Sequence, residues 1–108
     1  MAITIATAMP TSFKVELFKG LHNFTAGSTR FRMALFTAVA SGSGTYGAAT
    51  TNYSDMGSDE LATATGYSRP GELLTSVTPT ADGTTGILDF ANETWGSSSF
   101  TTCGGLIY

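Results

Sequence analysis

One imidazole, one thiol and eight carboxylates are the side chains of this 108-residue chain best suited to hold a metal or to exchange protons near neutral pH. Catalysis of the common kinds needs a nucleophile beside a base, two carboxylates facing a cleft, or three or four metal ligands. His22 is the single histidine, so a zinc site would need carboxylates and Cys103 gathered from distant segments, and no pair has metal-ligand spacing. Its place near a helix stop predicts instead a ring that caps a carbonyl. Asp89 and Glu93 come nearest to a glycosidase pair, which needs carboxyl groups ~5–9 Å apart across the bond. They straddle a strand end and a turn, where a carboxylate bonds its own backbone. Cys103 has two glycines after it and no basic neighbour to lower its thiol pKa, so it reads as buried filler. Gly42, Gly44 and Gly47 lack the Lys and Ser/Thr of a phosphate loop. The expectation is a chain that is not an enzyme, with no cofactor, no metal and no small-molecule ligand.

Binding chemistry is little richer. Lys14, Lys19, Arg30 and Arg32 stand in the first third against Glu16 alone, whereas Arg69 faces seven acids in the remainder. Such asymmetry orients a protein on a charged partner or lets copies pack basic end to acidic end. The four cations are expected to face an acidic partner surface. Nucleic acid is not the expected partner, because Phe13, Phe18 and Phe31 read as core faces rather than base-stacking platforms. Trp95 could stack on a sugar, but a buried indole is the commoner use. Asn23, Asn52 and Asn92 each open an N-x-S/T triplet, chance products of a Ser/Thr-rich chain.

Those residues must be carried by one domain of residues 1–108, since this length buries one core. Charged residues are 12%, far below the ~25% of ordinary soluble domains, so much of the surface is expected to be covered by a partner. The 42% hydrophobic share argues against disorder. The opening MAITIATAMP has no basic n-region, no apolar run approaches the ~20 residues of a membrane span, and a lone cysteine makes no intrachain disulfide. A soluble, reducing compartment is the expectation.

Residues 1–10 read as an extended arm, with Ile3 and Ile5 on one side and Pro10 blocking continuation. Residues 11–22 read as a short helix capped by Thr11 or Ser12, with Phe13, Leu17, Phe18 and Leu21 on one face and Gly20 as its stop. After a turn at Asn23–Ser28, Phe31, Met33 and Leu35 alternate with Arg30, Arg32, Ala34 and Phe36 in the clearest strand, and Ala34–Val39 is expected to lie deep. Residues 41–59 form a long, flexible polar loop. The stretch SDELATATGY fits either one helical turn or an edge strand. A strand with Leu73, Thr75 and Val77 alternating leads to a hairpin whose positive-φ residues are Asp82 and Gly83. Trp95 precedes another strand over SSSFTTC, and GGLIY ends the chain. Short strands at this spacing predict an all-β fold with one short N-terminal α-helix: a β-sandwich over 29–108, jelly-roll-like connectivity being one form it could take.

The motif order then resembles the small virion structural proteins of tailed bacteriophages. Ser12, Phe13, Lys14, Glu16, Leu17, Gly20, His22, Asn23 and Phe24 match an opening SFKxELxxGxHNF block. Phe31, Ala34, Leu35 and Phe36 match a strand core, and Thr65, Gly66 and Tyr67 a turn. Leu88, Asp89, Phe90 and Trp95 match a hairpin end, and Gly105, Leu106, Ile107 and Tyr108 a last strand. Cys103 and Gly104 depart from an expected Ala-Arg pair, and chains of this kind run on through a further strand after the LIY block. The resemblance implies a virion protein assembled in the host bacterial cytoplasm. Capsid decoration, as a cement protein on the major capsid protein, is the first expectation. A tail or neck component is the next, and a carbohydrate- or receptor-binding module using Trp95 and the Tyr46–Tyr67 loop is the alternative. Partner contacts and homo-oligomer pairing are expected at the two ends: Ile3 and Ile5, without an intrachain mate, and the apolar Leu106, Ile107 and Tyr108.

Overall fold

The computed structural model describes residues 2–25 and 30–108. Part of the expected Asn23–Ser28 turn, and the expected sandwich boundary at residue 29, lie outside the described residues. The chain is β-rich, with one α-helix among the described residues. Phe31–Leu35 (β2) is its central strand, antiparallel to Glu72–Leu74 (β4) on one edge and Gly105–Ile107 (β7) on the other. Alternation along β2 feeds two separate cores. One face sends Ala34 and Phe36, with Leu106 and Tyr108, into a cluster with Ile3, Tyr46 and Met56. The opposite face sends Met33 and Leu35 to Leu61, Tyr67, Trp95 and Phe100. Ala34–Phe36 is buried as expected, but the chain surfaces by Val39, which is 47% exposed.

The N-terminal segment is not an unmated arm. Thr4–Ile5 (β1) pairs in parallel with Thr45–Tyr46 (β3), and Ile3 is 6% exposed. The cause is the polar stretch 41–59, which holds a short strand and 3-10 turns and lends its backbone to the arm. Thr4 N–H donates to Gly44 at 2.9 Å and Ala6 N–H to Tyr46 at 2.9 Å, while Ile3 N–H reaches Val39 at 3.0 Å. Short 3-10 helices at Val39–Ser41 and Tyr53–Asp59 bracket β3. SDELATATGY therefore begins as the end of a helix and continues extended, with Glu60 bridged to Phe36 and Leu61 N–H bonded to Leu35.

The helix α1 spans Thr11–Phe18, shorter than the expected 11–22, and follows Pro10 without a side-chain cap. Gly20, at φ +69°, is its stop, as its tolerance of left-handed backbone suggested. The expected inward face is only half realised: Phe13 and Leu17 are half-buried, but Phe18 is 91% and Leu21 62% exposed. Rings hold the helix to the sheet. Phe13 contacts His22 and Phe24, Phe24 stacks on Phe31 at 4.6 Å, and both Phe24 and Phe31 meet Phe90.

The row of Leu73, Thr75 and Val77 is the outer face of β4. Two adjacent leucines make either parity available to ELLTSV, and pairing Phe31 opposite Leu74 selects Leu74 and Ser76. Leu74 is 3% exposed, whereas Leu73 is 44% and Val77 41%. Leu74→Ala should cost about 2–5 kcal/mol through the cavity it leaves, and Leu73→Ala less than about 1 kcal/mol. Urea unfolding of the two variants checks this; equal losses would contradict the register.

Thr80–Asp82 (β5) and Thr85–Ile87 (β6) form the expected hairpin, but its loop is Gly83–Thr84, and Asp82 ends β5. Gly83 alone takes positive φ, +60°, the pattern of a turn with glycine at its first central position. All six strand residues are exposed. The radius of gyration, 14.9 Å, exceeds the ~13 Å of a compact chain this long, consistent with an arm that stands off the body. No strand forms over SSSFTTC. That stretch is irregular, tied by the Thr102 hydroxyl to the Phe36 carbonyl at 2.6 Å and by Ser99 N–H to Thr65 at 3.0 Å.

Candidate functional site

The polar chemistry of the chain converges on two adjacent acids that the sequence did not single out. Asp59 and Glu60 are 6% and 4% exposed, and they point to opposite sides of the segment leaving the 3-10 helix. Asp59 accepts from Gly44 N–H at 2.7 Å, Ser43 N–H at 3.2 Å and the Tyr46 hydroxyl at 2.7 Å. A side chain on Gly44 would collide with that carboxylate and with the Tyr46 ring, which explains the small residues of the loop. The Tyr46 hydrogen bond, with those from the two amides, holds the Asp59 carboxyl below the usual range despite burial. Burial and the bond to Asp59 push the Tyr46 phenol up to about 12.

Glu60 accepts from the Tyr53 and Tyr67 hydroxyls and lies 3.7 Å from the Arg69 guanidinium. Arg69 also clamps the backbone, donating to the Glu60 carbonyl at 2.6 Å and the Leu61 carbonyl at 3.0 Å. Tyr67 serves the sheet as well, because its oxygen accepts the Leu35 N–H at 3.1 Å, a central-strand donor beyond the Met33–Glu72 pair where β4 ends. Tyr53 stacks on Tyr108 with ring centres 4.4 Å apart, and Tyr108 donates to the Pro70 carbonyl at 2.7 Å. Hydrogen bonding to Glu60 pushes Tyr53 to about 12, and burial does the same for Tyr67. The two carboxylates thus organise all four tyrosines of the chain. With every partner a phenol, a backbone amide or an arginine already clamped to carbonyls, both acids are occupied as structural acceptors.

The residues with apparent chemistry are dispersed. His22 caps no carbonyl; the bond from Leu21 N–H to the Glu16 carbonyl turns the chain back, and the ring donates to the Glu16 carboxylate at 2.6 Å. The Asp89 carboxylate accepts from the following N–H of Phe90 at 2.8 Å, the local use its position suggested. Cys103 is half-buried against the Ile3 cluster, and Trp95 is half-buried against the Leu35 cluster with its indole N–H enclosed. Among the described residues no group of three His, Cys, Asp or Glu side chains is placed to hold a metal. No described helix is long and apolar enough to cross a membrane.

The expected partner contacts separate into two sets. Ile3 is buried, and Ile5, Leu106 and Tyr108 are half-buried, in the cluster under Ala34 and Phe36 within their own chain. Only Ile107 of that set is half exposed, at 50%. Arg32 is half-buried and donates to the Gly71 carbonyl at 3.1 Å, so it fastens β4 rather than facing outward. Lys14, Lys19 and Arg30 are exposed, and none makes an ion pair among the described residues. The apolar surface that accompanies them went unforeseen, because Val15, Phe18 and Leu21 have the types and spacing of a core face and only the buried neighbours decide otherwise. No family model, curated protein or solved structure matches the chain.

Proposed function

We propose that this chain is a non-catalytic structural component of a phage particle, a capsid decoration protein that cements the major capsid protein. The observation carrying the reading is its surface: among the described residues ten large apolar side chains are at least 41% exposed, on a chain with only 12% charged residues. Where such side chains lie together they mark sites of protein contact, as Val15 and Phe18 do on α1. The resemblance of the motif order to small virion proteins supports the placement in a particle, and Asp59 and Glu60 are occupied as structural acceptors. In the same reading the layers over both faces of β2 are a small, irregular β-sandwich, clasped on one side by β1 and β3. The expected localisation is the virion.

Quantifying the chain against the major capsid protein in purified particles of the virus that encodes it is the test. A copy number comparable with the capsid protein is the expected result. A handful of copies would move the chain to tail or neck, and its absence from particles would overturn the reading.

A further inference from the structure

We infer that the exposed face of α1 docks on the β5–β6 arm of a second copy of this chain; the inference deepens the structural role proposed above and rests on it. At 100° per residue, Lys14, Val15, Phe18 and Lys19 fall within an arc of about 140° on the helix. Phe18 is 91% exposed and Val15 45%, so the arc is an apolar strip centred on a bare phenyl ring and edged by two ammonium groups. Glu16, the only acid of the helix, is engaged by His22. This face is basic and apolar together.

The arm is its complement. Val77, Ile87 and Leu88 are 41%, 42% and 46% exposed, beside the exposed carboxylates Asp82 and Asp89. From Pro70 to Tyr108 the sequence holds four acids and no lysine or arginine, so the arm offers no cation to repel the helix. A two-stranded hairpin with no third strand is marginal in water and gains stability from a surface laid against it. Opposite charge selects this pairing over helix on helix or arm on arm, where like charges meet. The contacts of Phe24 with Phe13 and Phe90 tie the helix to the root of the arm, so one copy carries both surfaces on a connected framework. Two copies can then exchange them reciprocally, each contact occurring twice.

Sedimentation of the full chain tests this, with circular dichroism of each variant confirming the fold. Phe18 is almost bare, so Phe18→Asp is expected to fold normally and to weaken self-association at least about tenfold, the loss expected when a ring of this size is no longer buried. K14E/K19E and D82K/D89K should each weaken association, and the two together should restore it, a rescue that a merely structural role of these residues would not give. A wild-type chain that stays monomeric at its highest soluble concentration overturns the inference, as does Phe18→Asp without effect or a quadruple variant no better than its parents. A monomer still present at high copy in particles overturns self-docking and leaves the particle reading intact. An oligomer that Phe18→Asp dissolves, but that particles lack, does the reverse.

Discussion

Glu60→Ala is expected to cost about 3–5 kcal/mol, the loss that follows when one partner of a buried charged network is removed. The Tyr53 and Tyr67 hydroxyls lose their acceptor at once, and the Arg69 guanidinium loses its ion-pair partner. Tyr67 cannot turn away in compensation, because its oxygen must stay where the Leu35 N–H reaches it. A buried donor without a partner costs about 1–3 kcal/mol on its own, and the enclosed Tyr67, 2% exposed, has no path to water. For a domain near this size each kilocalorie moves the melting temperature by roughly 4–8 °C, so a drop of about 15 °C or more is expected. Glu60→Gln keeps an acceptor oxygen and should fall between Ala and wild type. Thermal and urea melts of the three proteins decide it. A loss below about 1 kcal/mol for Ala would mean that Glu60 is dispensable and that the tyrosines are held by packing alone.

The difference between sequence and structure follows the same division between strong local patterns and contacts made at a distance. β2 was legible because alternation over FRMALF is strong and its second half is apolar on both faces, which only a strand covered from both sides tolerates. The β5–β6 hairpin and the Gly20 helix stop were legible because glycine marks positive φ. The parity of β4 was not, since Leu73 and Leu74 offer the same side chain to both faces and the choice belongs to Phe31. Nor was the mate of Ile3, because its partner strand, Thr45–Tyr46, lies within Gly, Ser and Thr and has no apolar period of its own. The carboxylate centre was hidden for a related reason. Asp59 and Glu60 looked like ordinary polar residues at a helix end, and the only local trace of their burial is the Gly42–Ser43–Gly44 run that clears room for Asp59. A resemblance of motifs marked Tyr67 and Tyr108 as features of the chain but could not say that one carboxylate joins Tyr67 to Tyr53, on which Tyr108 stacks.

That centre also sets the behaviour of the fold in alkali. Tyr46, Tyr53 and Tyr67 are each pushed up to about 12 from an ordinary value of 10.0. The folded state therefore keeps these phenols neutral, and the unfolded chain, ionising near 10, gives up its protons first. The stabilisation is complete below pH 10 and is lost as pH rises towards 12. A two-unit shift corresponds to about 3 kcal/mol, and Tyr46 and Tyr67, at 7% and 2% exposure, are enclosed enough for that scale to apply. Tyr53 and Tyr67 share Glu60, so their shares do not simply add; a combined loss of order 5 kcal/mol is comparable with the whole stability of a small domain. Phenolate absorbance should accordingly lag behind that of a free tyrosine through pH 10 and then climb in one cooperative step between pH 11 and 12, together with the far-ultraviolet dichroism. Tyr46→Phe removes one of the three shifted groups, and it should make that step shallower while lowering stability at neutral pH through the hydrogen bond lost to Asp59, whose Oδ2 keeps only the Gly44 N–H. Smooth ionisation of all four phenols near pH 10 with the dichroism unchanged would show that the hydroxyls are free of Asp59 and Glu60 in solution.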